Sequence, residues 1–376
     1  MRKTIIISVI SDLVTDQRVH RTAMTFTRQG HRVVLVGRKL KNSLPLGSRR
    51  YRYFRFKLWF EKGFWFYAIY NIRLFFYLMF KHVDILFAND LDTLPANALA
   101  GLLKNVPIIY DSHEYFTGVP EIINRPFVRN TWKAFEKIIF PRLKYIITVN
   151  DSIAELYENE YEKKISVIRN IPDVPLIAVP YDNEKTKKEL GISPDKKIIL
   201  LQGAGINVER GAEEAVEAMK LIDNAVLLII GAGDVLPFLK EAVKQNQLNG
   251  KIIFKDKMPY EQLLQFTHVA DIGLTLDKDT NFNYRFSLPN KLFDYIHAGV
   301  PVLASPVVEV KKIIEKYQIG VLIENHNPEH IAQKIKFMLA DEQRIKLWKQ
   351  NISKAVRELN WSNEEKKLLD LLHELF

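Results

Sequence analysis

The stretch "TIIISVISDLVTDQRVHRTAMTFTRQGHRVVLVG" occupies Thr4–Gly37. It opens with a β-branched run, Thr4–Ile10, that has no polar alternation, the pattern of a parallel strand buried on both faces. Val19, Ala23, Phe26 and Thr27 then recur at helical spacing until Gly30, and His31–Gly37 is a second apolar run. Strand, helix and strand in this order predict a right-handed parallel crossover. The unit repeats downstream in "VDILFAND" (Val83–Asp90), "VPIIYDSHE" (Val106–Glu114) and "LKYIITVND" (Leu143–Asp151), each apolar until it ends in polar residues. Strand ends of that kind matter because open parallel sheets take their ligands there.

A chain of 376 residues, 47% hydrophobic and 26% charged, has material for two cores. "RNIPDVPLIAVPYDNEKTKKELGISPDKK" (Arg169–Lys197), with Pro172, Pro175, Pro180 and Pro194 among many charges, reads as a linker. Beyond it the alternation restarts with "KIILLQGAG" (Lys197–Gly205), "AVLLIIGAG" (Ala225–Gly233), "KIIFKD" (Lys251–Asp256), "DIGLTL" (Asp271–Leu276) and "VPVLAS" (Val300–Ser305). The expected organisation is α/β: two Rossmann-like, doubly wound parallel-sheet domains, residues 1–175 and 176–360. Residues 361–376 should form a helix packing back on the N-terminal domain, with leucines at helical spacing and a capping signature at Ser362 with Glu365.

Cysteine is absent, which excludes disulfides, thiolate metal sites and thiol nucleophiles. The apolar run after the basic start is too short for a signal peptide and meets Asp12, so we read it as a strand of a cytoplasmic protein. The net charge of +10 is unevenly placed: residues 1–82 hold 17 Lys or Arg against Asp12, Asp16 and Glu61. Within that region Tyr51–Phe80 carries 15 of the 42 aromatic residues, interleaved with Arg52, Arg55, Lys57, Lys62 and Arg73. Three readings stand: contact with an anionic membrane surface, single-stranded nucleic acid, or a basic hairpin and a helix packed on their own domain. A spanning helix is not expected, since Phe64–Phe80 has only 17 residues and carries Asn71 and Arg73 near its middle.

The candidate chemistry lies in the second half. "LQGAGINVERG" offers Gly203, Gly205 and Gly211, but not at the spacing of a dinucleotide fingerprint. "LPNKLFDYIHAGVPVLAS" (Leu288–Ser305) places Lys291 at a helix start, as Arg210 precedes another. Helix N-termini carry free N–H groups and partial positive charge, so a cation beside one suits a diphosphate. Asp294, one turn after Lys291, could accept from a ribose diol; alternatively the two form an exposed intrahelical ion pair worth only a few tenths of a kcal/mol.

In their order along the chain, "SDLVTDQRVHRTAMTFTRQGHRVVLVGR", "FANDLDTLPA", "IYDSHEYF", "VIRNIPD", "LLQGAGINVERGAEEAVEAM", "LIIGAGD", "ADIGL" and "LPNKLFDYIHAGVPVLAS" resemble the retaining glycosyltransferases of family 4. The resemblance implies the GT-B fold, with two Rossmann-like domains facing across a cleft. It implies a UDP- or GDP-type sugar donor and a saccharide or polyprenyl-linked acceptor in surface polysaccharide synthesis. No metal or other cofactor and no nucleic acid are expected, and the setting is cytoplasmic, peripheral at the inner face of the membrane through Tyr51–Phe80. On the donor side the resemblance points to Gly203, Gly205, Arg210, Ser287, Leu288, Pro289, Asn290, Lys291 and Asp294, with base contacts around Lys255–Pro259. His113, Arg210 and Lys291 are the expected catalytic groups. Asp16, Arg18, Asn89, Asp90 and Glu114 are the expected acceptor side, with helix capping an equal reading of Asp16. The chain departs from the family where Phe286 stands eight residues before Asp294 in place of a glutamate, and where an arginine after the "QGAG" strand is missing. Rival expectations are a sugar-nucleotide epimerase of the same fold, or a basic nucleic-acid or membrane-binding protein without catalysis.

Overall fold

The computed structural model describes residues 2–14, 16–173 and 181–375, so the boundary expected at 175/176 and the middle of the linker lie outside the described residues. The chain divides into two compact units, Met1–Asn170 with Ser362–Phe376, and Ile171–Trp361.

The first unit holds a seven-stranded parallel sheet of β1 (Thr4–Asp12), β2 (Arg32–Lys39), β3 (Arg52–Lys57), β4 (Ile85–Asn89), β5 (Ile108–Ser112), β6 (Tyr145–Thr148) and β7 (Ser166–Val167), ordered β3-β2-β1-β4-β5-β6-β7. Strand order reverses between β1 and β4, which pair in register from Ile5↔Ile85 to Ser8↔Ala88. The crossover predicted from Thr4–Gly37 is present, with the helix Gln17–Arg28 between β1 and β2. The basic hairpin reading fails: Arg52–Lys57 is a single strand, parallel to β2 from Val34↔Arg52 to Lys39↔Lys57. Its alternating aromatic and cationic side chains hid a sheet-edge strand that pairs along one side only.

The helix Gly63–Phe80 buries Phe66, Tyr70, Leu74 and Leu78, spaced four apart on one stripe. That stripe packs into a core with Ile6, Val36, Phe56, Leu86 and Ala100. Trp59, Phe64, Trp65, Phe76 and Phe80 stay exposed, so the segment feeds the core and also presents aromatic surface. No helix among the described residues is long and apolar enough to cross a membrane. The C-terminal helix begins at Trp361, which puts Ser362 inside it rather than at a cap. Glu365 instead accepts from Thr25 Oγ1 and pairs with Arg28, each at 2.6 Å.

The second unit has a six-stranded parallel sheet: β8 (Lys197–Gly203), β9 (Ala225–Gly231), β10 (Ile252–Asp256), β11 (Ile272–Thr275), β12 (Val302–Ala304) and β13 (Gly320–Leu322), ordered β10-β9-β8-β11-β12-β13. The reversal falls between β8 and β11. The helix Asn290–His297 is pinned over that seam by Tyr295, whose hydroxyl lies 3.1 Å from the Leu200 carbonyl and 3.2 Å from that of Leu274. The ring fits because β11 has glycine beneath it: a Cβ on Gly273 would sit 2.4 Å from Tyr295 Cγ. Gly273→Ala is therefore expected to lower stability by roughly 1–3 kcal/mol through overpacking, read as a shift of the urea unfolding midpoint.

Candidate functional site

Each sheet carries a polar cluster at the C-terminal ends of strands at or next to its reversal, where the fold leaves a crevice for ligand. In the second unit the chain leaving β8 reaches Arg210 and then Gly211, which caps the helix Ala212–Ala218 with φ 75°. A Cβ on Gly211 would lie 2.3 Å from Leu276 Cβ, so the segment following β8 packs directly on the segment following β11. That approach sets Arg210 beside Asp277. The Arg210 guanidinium is 3.3 Å from Asp277 Oδ1 and the Lys291 ammonium 3.6 Å from Asp277 Oδ2. Thr275 Oγ1 donates to the same carboxylate at 3.4 Å.

Asp277 is 1% exposed, Lys291 10% and Arg210 30%, so the anion is sealed beneath two cations of which the arginine faces outward. One carboxylate cannot neutralise two cations, and the cluster keeps a surplus positive charge. Burial holds Lys291 below its ordinary pKa, with Asp277 opposing and Arg210 reinforcing the shift. Arg210 also stacks on the Tyr284 ring, 4.6 Å from its centroid. Its Nε and Ser287 Oγ are buried without a hydrogen-bond partner among the described residues, a costly state that a ligand oxygen would relieve. Pro289 caps the helix Asn290–His297 without a side-chain hydrogen bond.

Lys291 and Asp294 do not pair with each other in this arrangement. Asp294, 6% exposed, accepts from Gln202 Nε2 at 2.9 Å and from the Tyr260 hydroxyl at 2.7 Å. Gln202, the penultimate residue of β8, in turn accepts from Thr267 Oγ1 at 2.8 Å. Tyr260 follows directly on Lys255–Pro259, which joins that segment to Asp294. The glycines divide by cause. Gly231 has φ 144° and a Cβ there would fall 1.8 Å from the Gly203 carbonyl, so the two strand ends themselves require it. At Gly203 and Gly205 a Cβ would meet nothing closer than 3.7 Å, leaving room that the chain does not fill.

In the first unit His113 follows β5. Its Nδ1 lies 3.2 Å from Asp90 Oδ2, its Nε2 3.2 Å from Asn89 Oδ1 and 3.4 Å from Asp111 Oδ2, and its backbone N–H donates to Asp90 Oδ1 at 2.8 Å. Asp90 holds this position with φ 59°, a left-handed conformation that aspartate tolerates better than most residues. Burial works against a charged imidazole here, but the Asp90 and Asp111 carboxylates outweigh it and raise His113 well above its ordinary value. Both ring nitrogens are then donors. Asp111 is driven the other way: burial opposes its charge, yet Arg18 and His113 hold it far below the usual carboxylate range.

Two members of the expected acceptor side have other duties. Arg18 is 4% exposed, with its fork on Asp111 at 2.9 and 2.6 Å and its remaining nitrogen on the Ile168 carbonyl at 2.8 Å; it positions Asp111 and is withdrawn from any acceptor. Asp16 caps the helix Gln17–Arg28, accepting from the Val19 N–H at 3.1 Å and from Ser11 Oγ at 2.6 Å. Asn89 is buried, bonded through Nδ2 to the Ser8 carbonyl at 2.9 Å, whereas Glu114 is exposed. The residues missed from sequence are Asp277, Gln202, Tyr260, Asp111 and the buried Asp92. Burial, reinforced by Asp90 and Glu114, pushes Asp92 well up. Four of the five stand at or just past a strand end, the signal that had singled out their neighbours.

The protonated His113 contributes stability that is complete below a free-chain pKa of about 6.5 and fades as pH climbs through the raised folded value. Thermal unfolding of the wild type and His113→Gln should therefore show a Tm difference that narrows as the pH rises above the free-imidazole value; a constant difference would contradict the charged assignment.

Residues 182–355 match the model of the glycosyl transferases group 1 and residues 16–174 that of Glycosyltransferase Family 4. Two uncharacterized glycosyltransferases of Methanocaldococcus jannaschii are 23% and 25% identical over 65% and 60% of the chain, and the matches span 62% and 59% of those relatives' own length. Among solved structures, sucrose-phosphate synthase from Thermosynechococcus elongatus superposes with a TM-score of 0.81 at 18% identity, covering 100% of this chain and 99% of that one. The Anabaena protein HepE, solved with UDP and glucose, gives 0.76 at 12% identity, over 99% and 100% of the two chains. At such identities the superpositions establish the fold, which is that of the GT-B proteins.

Proposed function

The chain belongs to the family 4-type glycosyltransferases, and from that membership we propose that it moves a sugar, with retention, from a nucleotide-diphosphate sugar to a saccharide or lipid-linked acceptor in surface polysaccharide synthesis. The observation that carries the reading is the Arg210–Asp277–Lys291 cluster: a surplus positive charge at the sheet reversal, with Arg210 Nε and Ser287 Oγ buried and unpartnered among the described residues. A diphosphate supplies the charge and the acceptor oxygens that this arrangement lacks. The UDP and glucose held by HepE are a ligand class of the same chemistry.

In this reading the donor diphosphate lies against Arg210, Lys291 and the N–H groups that open the helix at Asn290. Gly203 and Gly205 let backbone approach the sugar and phosphate, and the Thr267–Gln202–Asp294–Tyr260 chain sets the nucleoside end. As the bond from the anomeric carbon to the diphosphate oxygen breaks, negative charge grows on that oxygen, and fixed cations aimed there lower the barrier. The acceptor oxygen forms the new bond on the same face, and its proton passes to a donor phosphate oxygen. His113, with both ring nitrogens protonated, cannot take that proton; it serves as a charged hydrogen-bond donor on the first unit, with Asp90 and Asn89 fixing its ring. Side-chain cations fill the role that a divalent ion could fill, so the reaction is expected to proceed in EDTA.

Isothermal titration with UDP and GDP tests the donor assignment. Arg210→Ala should weaken nucleotide binding by roughly 1.5–3 kcal/mol, the worth of a hydrogen bond to a charged group, and Asp294→Asn should weaken UDP binding while sparing that of inorganic pyrophosphate. Unchanged UDP affinity in Arg210→Ala would remove the cluster from the donor site.

The exposed aromatic face of Trp59–Phe80, set among cations, supports a peripheral position on an anionic bilayer at the cytoplasmic face, where a lipid-linked acceptor is presented. The triple variant Trp59→Ser, Phe64→Ser and Trp65→Ser, all at exposed positions, should cosediment less with vesicles of phosphatidylglycerol and phosphatidylcholine; undiminished sedimentation would reject this face as the contact.

A further inference from the structure

The first unit carries a second polar feature, at the opposite edge of its sheet from His113. A cavity of about 740 Å3 opens where three adjacent strands begin, lined by Thr4, Arg32 and Arg52, the first residues of β1, β2 and β3. Arg2, Arg49 and Arg50 add three more guanidinium groups to its wall. Arg2, Arg32, Arg50 and Arg52 make no ion pair among the described residues, and all four are exposed. The carboxylate at its margin, Asp84, already accepts from the Thr4 N–H at 2.7 Å and lies 3.6 Å from His82. Arg49 turns inward on the His20 ring at 3.0 Å, and burial together with Arg49 draws His20 down to about 4.

The neighbouring helix end adds little opposing charge. Gly30, with φ 83°, donates to the Thr27 carbonyl at 3.0 Å, and His31 donates to that of Phe26 at 3.1 Å, which occupies the terminal carbonyls of Gln17–Arg28. Five guanidinium groups around one concavity, none paired with a carboxylate among the described residues, are a built receptor for an anion rich in oxygens. Beside it lies an apolar groove of about 370 Å3, lined by Phe54, Phe76, Tyr77 and Phe80 with Lys81. Arg52 and Phe54 share β3, and Lys81 adjoins His82, so cavity and groove adjoin along the chain.

We propose that this strand-start cavity binds a phosphate-bearing ligand, with the arginines holding phosphate oxygens and the aromatic groove taking an adjoining apolar group where there is one. The shared chemistry is the phosphate, whether free or on a lipid headgroup. The site is independent of the donor cluster, since Arg32, Arg50 and Arg52 belong to the first unit and Arg210 to the second.

Arginine-resolved footprinting tests it directly. The full chain is treated with phenylglyoxal and each arginine is followed by peptide mass spectrometry, in the presence of inorganic pyrophosphate, of phosphatidylcholine vesicles, or of such vesicles containing phosphatidic acid. Arg32, Arg50 and Arg52 should be protected by a phosphate-bearing probe and not by phosphatidylcholine alone. Protection by pyrophosphate assigns a free phosphate; protection by phosphatidic acid vesicles at lower total phosphate assigns a headgroup. In Arg32→Ala/Arg52→Ala, whose altered positions are exposed, the midpoint of Arg50 protection should rise at least about tenfold, as for lost charge-assisted hydrogen bonds. Equal modification of the three arginines in every arm, or an unshifted Arg50 midpoint, overturns the proposal. Because Arg210 is scored separately, failure of the donor site would appear there and leave this outcome readable.

Discussion

A buried carboxylate shared by two cations organises the C-terminal edge of each sheet. In the first unit it is Asp111, gripped by the Arg18 fork and by His113. In the second it is Asp277, set between Arg210 and Lys291. A lone carboxylate at such depth would be driven to protonate, and a lone buried cation would be equally costly. Sharing solves both problems and leaves the Asp277 cluster short of negative charge. The strand ends thus hold two cationic groups in fixed positions without ligand, which is the preorganisation that electrostatic catalysis requires.

The two clusters balance their charge differently. Around Asp111 a further carboxylate, Asp90, takes the other ring nitrogen of His113, so the first unit ends as a balanced network whose hydrogen bonds point inward. Around Asp277 no such partner among the described residues closes the circuit for Arg210, whose Nε stays unpartnered there and whose plane lies against Tyr284. Electrostatics therefore favours an incoming polyanion in the second unit and an oriented, neutral hydroxyl in the first. That asymmetry supports the proposed assignment of the donor to the second unit and the acceptor to the first.

The long buried strands were legible because β1, β8 and β9 are dominated by aliphatic residues with no helical period and no polar alternation. β7 and β13, two and three residues long, carry no period to detect. The cations of the donor cluster were legible by type and place, but their common partner was not: Asp277 follows "DIGLTL" as an ordinary loop aspartate, and only the packing of Gly211 on Leu276 brings Arg210 to it. Lys291 and Asp294 suggested an ion pair through their spacing. Tertiary partners on other elements outcompeted that local bond, as buried groups must when better donors lie within reach. Arg18 failed in the converse way, because a residue just past a strand end reads as exposed until the Ile168 carbonyl and Asp111 enclose it.

The basic character of the N-terminal fifth was plain in composition, yet composition could not say which edge of the sheet it serves. At the C-terminal edge, Arg18 and Arg55 meet Asp111 and Asp12. At the N-terminal edge, Arg2, Arg32, Arg50 and Arg52 line a concavity without carboxylates of their own. The strand-start arginines thus hold a concentration of positive charge on the opposite side of the sheet from His113. Like charges held together lower stability through mutual repulsion. Four unneutralised arginines opening one cavity therefore carry a cost that the core packing of Tyr70, Leu74 and Leu78 must offset, and that a bound anion would remove.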